Sequence, residues 1–225
     1  MFRKLVVPVL AILLLLPSLG NTAANHVKLL NDTVRPFQWN STDETTHIVT
    51  LGTHCSVFSV NPANHGWMTA AHCIQDPETG IPYTDTYFID GHAARIVEVD
   101  VEHDLALVQT PDWADPVGLK LALHGPVQGD TIEALGYAWG QARSFYFVGI
   151  VAQTEFNLFG FFGSMAGMPA IGGMSGCPLV DRDGRVVGVT HVGFDGGFGS
   201  SSSPVLGLTA YSVLKAYDRG WVFSR

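Results

Sequence analysis

From His47 to Ala210 the chain is a succession of short apolar runs, each broken by a turn before it can grow into a helix. "HIVTLG", "CSVFSV", "GWMTAA", "TYFIDG", "ARIVEVDV", "LALVQT", "TIEALGY", "SFYFVGIVAQ", "CPLVD", "RVVGVTHVG" and "VLGLTA" are rich in β-branched and aromatic residues and are bounded by Gly, Asp or Pro, the pattern of strands. "DRDG" at Asp181–Gly184 links two of them as a hairpin turn. Only "SVLKAYDRGWVF" near the C-terminus has helical spacing. A chain of 225 residues built this way is long enough for one large domain or two small ones. So many short strands predict an all-β protein, a barrel pair or a sandwich pair. The turn-rich "HGPVQGD" at His124–Asp130 is the natural seam between halves.

The N-terminus stands apart. Arg3 and Lys4 precede the apolar run Leu5–Leu16, then Pro17 and small residues through Ala24. A basic start, a short apolar core and a small-residue exit are the layout of a secretory signal, cleaved after Gly20 or after Ala24. The core is shorter than the ~20 residues that span a bilayer. Residues 1–24 are therefore expected to be a signal peptide, residues 25–45 an extended lead-in, and the product secreted or periplasmic. Retention of the run as a membrane anchor is the alternative. The formal charge is −8, and cleavage removes two of the 12 basic side chains and none of the 20 acidic ones. Nonspecific nucleic-acid binding, which needs basic patches, is excluded. Export permits a disulfide.

Three polar residues sit where the β-pattern alone has no use for them. His72 ends the strand-like "GWMTAAHC", Asp104 leads into the apolar "LALVQT" from "VEHD", and Ser175 lies in the glycine-rich "IGGMSGCPLVD". A serine hydroxyl is a poor nucleophile unless a base takes its proton, and the base needs an acceptor that fixes its tautomer and stabilises the imidazolium. Glycines before Ser175 allow a tight turn that aims the N–H groups of Gly173 and Ser175 at one point, where an oxyanion could sit.

With "TAAHC", "HDLALV" and "GGMSGCP" in the order His, Asp, Ser, the chain resembles the chymotrypsin-like (trypsin-fold) serine proteases over roughly residues 46–220. The resemblance implies two packed six-stranded antiparallel β-barrels with a short C-terminal helix. The N-terminal barrel (46–125) would carry His72 and Asp104; the C-terminal barrel (126–225) would carry Ser175 and the S1 pocket. It implies a serine endopeptidase: His72 the base and then the acid, Asp104 its orienter, Ser175 the nucleophile, Gly173 and Ser175 the oxyanion donors. It also implies a disulfide between Cys55 and Cys73, a protein or peptide substrate, a monomer, and no metal or organic cofactor. A binding module without turnover and a membrane-anchored processing protease are the rival readings.

The sequence departs from the digestive members of that family in two places. Met174 stands where they carry an aspartate that pairs with a freshly cut N-terminus, and no "IVGG"-like start precedes the barrel. Activation by that ion pair is not expected, and bacterial and viral branches are the better likeness. Cys177 reads as a small buried thiol. By family position the S1 pocket draws on Ala170, Ile171, Thr190 and Gly193, none of them charged, which suits an apolar or small P1 side chain. His191 lines the pocket instead if a one-residue bulge turns it inward, as in glutamate-specific relatives. His103, beside Asp104 on a strand, is expected at the surface.

Overall fold

The computed structural model describes residues 24–42, 49–76, 78–84, 86–113, 117–138, 141–158, 161–169, 171–194 and 205–208. Among the described residues twelve strands form two six-stranded closed barrels. The first is β1 (Val34–Thr42), β2 (Val49–Asn61), β3 (Gly66–Thr69), β4 (Tyr87–Ile89), β5 (His92–Asp100) and β6 (Leu105–Gln109), paired in the order β1-β2-β3-β6-β5-β4 and closed by β4 on β1. The second is β7 (Thr131–Tyr137), β8 (Ser144–Leu158), β9 (Phe161–Gly167), β10 (Pro178–Val180), β11 (Val186–Phe194) and β12 (Val205–Leu208), ordered β10-β11-β12-β9-β8-β7 and closed by β7 on β10. All strand pairs within the barrels are antiparallel.

Strand burial follows from this double-barrel packing. On β6, Ala106 and Val108 point into the first barrel, while Leu105 and Leu107 join a cluster with Leu135, Val180, Val186 and Val189 of the second. On β2, Cys55 and Val57 take the inner face, Phe58 and Val60 the seam. A strand covered on both faces reads as a continuous apolar run rather than an alternating one, which explains "LALV". The "DRDG" turn is the β10–β11 hairpin: Asp181 Oδ1 accepts from the Asp183 and Arg185 amides at 2.8 and 2.9 Å, and Gly184 takes a φ of +72°.

The expected extended lead-in over 25–45 is corrected. Residues 24–33 are helical and lead directly into β1, so the first barrel begins at Val34 rather than at 46. The helix has local support that a reading for strands overlooks. Lys28 pairs with Asp32 one turn on at 2.8 Å, and the Arg35 guanidinium caps the carbonyls of Asn31 and Asp32 at 2.8 and 2.9 Å, a cation at a helix C-terminus. Leu30 is fully buried in the seam between the barrels, and His26 reaches Glu133 of β7 at 3.3 Å. The expected signal peptide (apart from Ala24) and the C-terminal helix lie outside the described residues. Among the described residues no helix is long and apolar enough to cross a membrane. Of the aromatic run Phe156–Gly163, residues 156–158 fall on β8 and 161–163 on β9; residues 159–160 and the side chains of the run lie outside what is described.

Candidate active site

His72 and Asp104 meet because β3 and β6 are neighbours. Thr69 pairs with Ala106, so the short 3-10 turn Ala71–Cys73 beyond β3 and the residue just before β6 lie at the same end of the first barrel. Asp104 takes a φ of +50°, an uncommon left-handed conformation for a non-glycine residue. Its carboxylate accepts twice from His72, Oδ1 from the backbone N–H and Oδ2 from Nδ1, both at 2.8 Å. The disulfide Cys55–Cys73 ties β2 to this turn, with Cα atoms 6.0 Å apart.

His191 is the surprise. A register shift between Thr190 and Val192 on the β11–β12 pair supplies the one-residue bulge, yet the ring does not join the predicted pocket wall. It is buried against Asp104, its Nδ1 hydrogen-bonded to Oδ2, and meets the His72 ring edge-on at 5.5 Å. The expectation that His191 lines S1 is thereby corrected: the bulge turns it onto the carboxylate that His72 also uses. Burial pushes the Asp104 carboxyl up, but hydrogen bonds from His191 and His72 outweigh it and hold the group at about 2. The ligand-type atoms of His72, Asp104 and His191 lie within 4.8 Å of one another, close enough to consider a metal ion. Both ring nitrogens face one carboxylate oxygen as hydrogen-bonding partners, which accounts for the cluster without one.

Ser175 sits in the turn that feeds β10. Its hydroxyl lies 3.5 Å from the His191 carbonyl, and among the described residues no hydrogen bond joins it to His72. Gly173 and Gly176 take φ of +95° and +81°, which side chains resist. A Cβ on Gly176 would come within 2.2 Å of Thr69 Oγ1 and 2.3 Å of the Ser56 carbonyl. Among the described residues neither the Gly173 nor the Ser175 N–H donates a backbone hydrogen bond, so both remain available to an oxyanion. Met174, fully buried, packs in the second barrel's apolar cluster with Ala138, Met168 and Cys177.

Cys177 is buried, its thiol pushed up to about 12 by burial and sitting 2.9 Å from the Thr190 hydroxyl, so it is no nucleophile. Thr190 is likewise buried, Ile171 packs half-buried against the second core, and Gly193 lies in β11; Ala170 is outside the described residues. His103 is corrected from a surface strand residue. It lies in the turn before β6, where its Nδ1 meets the buried Asp100 at 2.8 Å and only 14% of its side chain is exposed. Sequence reasoning missed Ser56, which reads there as one more strand residue.

The trypsin-like peptidase domain model matches residues 55–189. Among solved structures, the chain is similar to the HtrA-type protease AlgW with a decapeptide, at a TM-score of 0.68 and 19% identity over 88% of this chain and 68% of that one. It is also similar to the active form of the Rv3671c protease from M. tuberculosis, at 0.65 and 20% identity over 92% and 88%. At such identities these likenesses speak to the fold. No curated relative matches.

Proposed function

The chain belongs to the trypsin-like peptidase family and is a serine peptidase, and from that premise we propose that it is an exported endopeptidase working through Ser175, His72 and Asp104. The observation that carries this reading is the paired grip of Asp104 on His72, through the backbone N–H and the ring Nδ1 at 2.8 Å each. That grip leaves His72 Nε2 as the free base. Ser175 Oγ attacks the scissile carbonyl carbon while its proton passes to Nε2, and the N–H groups of Gly173 and Ser175 hold the oxyanion. Collapse breaks the C–N bond, and the same proton leaves with the amine. Water then enters by the reverse route and releases the acid. Asp104, held low and ionised, stabilises each imidazolium without taking the proton.

The substrate is a polypeptide with an uncharged, apolar or small P1 side chain. Ile171 and Thr190 bring no charge there, and His191 is engaged with Asp104. The basic-apolar-small layout of residues 1–24 supports export. One observation favours a second reading, a peptidase-like binder: among the described residues the Ser175 hydroxyl bonds the His191 carbonyl rather than His72. One experiment separates the two. A serine-directed phosphonate should modify Ser175 in the purified chain, and Ser175→Ala should abolish both labelling and peptide cleavage with the fold retained. A folded wild-type chain that neither labels nor cleaves between pH 6 and 9 would establish the binder.

A further inference from the structure

Ser56 belongs to the barrel of His72 and Asp104, yet its polar atoms grip the turn that carries Ser175. The residue is fully buried on β2. Its backbone N–H donates to the Ser175 carbonyl at 2.8 Å. Its hydroxyl donates to the Gly173 carbonyl at 3.0 Å and accepts the Tyr137 N–H at 2.8 Å. Its own carbonyl accepts the Thr69 hydroxyl, also at 2.8 Å. Both carbonyls that flank Met174–Ser175 are therefore fixed by two donors of one residue, and the Met174 N–H is tied to the Ile171 carbonyl at 3.0 Å. Peptide groups are planar, so these bonds fix the 173–174 and 175–176 planes; the Ser175 N–H lies in the one plane between them, whose Met174 carbonyl accepts the Cys177 N–H at 3.0 Å.

Two glycines make room for this arrangement. A Cβ at Gly136 would stand 2.8 Å from Ser56 Oγ, and one at Gly176 would stand 2.3 Å from the Ser56 carbonyl. With Met174 buried in apolar surroundings, no charged contact of its own holds the turn.

We infer that Ser56 is the positioning residue of the oxyanion turn, a strut from the first barrel that sets the turn in the second. The inference rests on Ser175 being the nucleophile. It couples two requirements in one residue: the peptide planes that adjoin the Gly173 and Ser175 amides are set, and the barrel carrying the base is locked to the loop carrying the nucleophile. A hydroxyl is suited to this place because it can accept from Tyr137 and donate to Gly173 at once.

The test is Ser56→Ala in the full chain, read by steady-state kinetics on a peptide and by affinity for a peptide aldehyde, whose adduct with Ser175 places an oxyanion at the turn. The expected result is a fall in kcat of about thirtyfold or more with KM within about threefold, and a parallel loss of aldehyde affinity. A folded variant with kcat and aldehyde affinity within about twofold of wild type overturns the inference. Amide exchange reads the strut without turnover: Tyr137 should exchange about tenfold faster or more in Ser56→Ala, with Trp67 of β3 unchanged. If the variant does not fold, the wild-type chain decides. Protection of Tyr137 alongside Met174 supports the strut, and exchange of Tyr137 at the rate of a free amide overturns it. Failure of the wild type to label or cleave instead counts against the peptidase reading, and the exchange pattern still decides the strut.

Discussion

The rings of His72 and His191 meet edge to face, their centroids 5.5 Å apart, with both Nδ1 atoms turned to the same oxygen of Asp104. One carboxylate thus serves two imidazoles, His72 of the turn after β3 and His191 of β11. An ionised acceptor shared this way is held in place from two sides, and each hydrogen bond to a charged group is worth ~1.5–3 kcal/mol. Removing the His191 donor loosens Asp104 and weakens its hold on His72. His191→Ala should therefore lower kcat/KM about tenfold or more while leaving KM nearly unchanged, a milder loss than that of His72→Ala. Unchanged kcat in a folded His191→Ala chain would show the second imidazole to be mere packing.

The same carboxylate makes stability depend on acid. Asp104 is held at about 2, below the ordinary carboxylate value near 3.9. A group depressed in the folded state stabilises it above the unfolded value, and that contribution drains away as pH falls from about 4 toward 2. Its size is roughly 2 kcal/mol. Asp76, which the Thr79 and Glu78 amides hold low, is common to wild type and variant and cancels in the comparison. Urea midpoints of wild type and Asp104→Asn should differ most at pH 6 and converge by about that amount at pH 2.5. A gap that stays constant over the range would show that Asp104 is not the group responsible.

The strands, the turn at Asp181–Gly184 and the residues His72, Asp104 and Ser175 were legible because each has a local signature: apolar periodicity, a turn sequence, a polar residue at the end of an apolar run. The helix over residues 24–33 was hidden because its stability comes from tertiary burial of Leu30 and from the cap that Arg35 supplies, not from an amphipathic run of its own. His191 was noticed but misplaced. The side on which a bulge delivers a residue depends on its partner, here a carboxylate 87 residues away in sequence. Ser56 left no trace at all, since a serine in "HCSVFSV" fits any half-buried strand, and its work lies in contacts with Gly173 and Tyr137.

Cysteine chemistry offers a clean check on the fold around the base. Cys55 and Cys73 are bridged and Cys177 is a buried free thiol. Peptide mapping without reduction should recover the single bridge, and Cys177 should resist alkylation until the chain is unfolded. Replacing both bridged residues by Ala should cost ~3 kcal/mol, the loop-closure value for a loop of this size. Activity should fall less than stability at low temperature, because the grip of Asp104 on His72 does not pass through the bridge.

The last prediction concerns how the active turn is reached. Met174 is fully buried among Ala138, Met168 and Cys177 and has no charge to offer an incoming ammonium. Burying that ammonium beside a thioether would cost several kcal/mol with nothing to offset it. The N-terminal segment acts instead by packing, through Leu30 in the seam and His26 against Glu133. Chains beginning at Asn25, with and without an added Gly-Ser pair, should then share the same specific activity within about twofold. Leu30→Ala, by contrast, should cost ~2–5 kcal/mol of stability, as large-to-small changes in a core do. Met174→Asp should lower activity sharply, because it places an unpaired carboxylate in an apolar cluster beside Ser175. Rates for the two N-termini decide the matter: a hundredfold drop on extension would mean that a free terminus sets the turn after all.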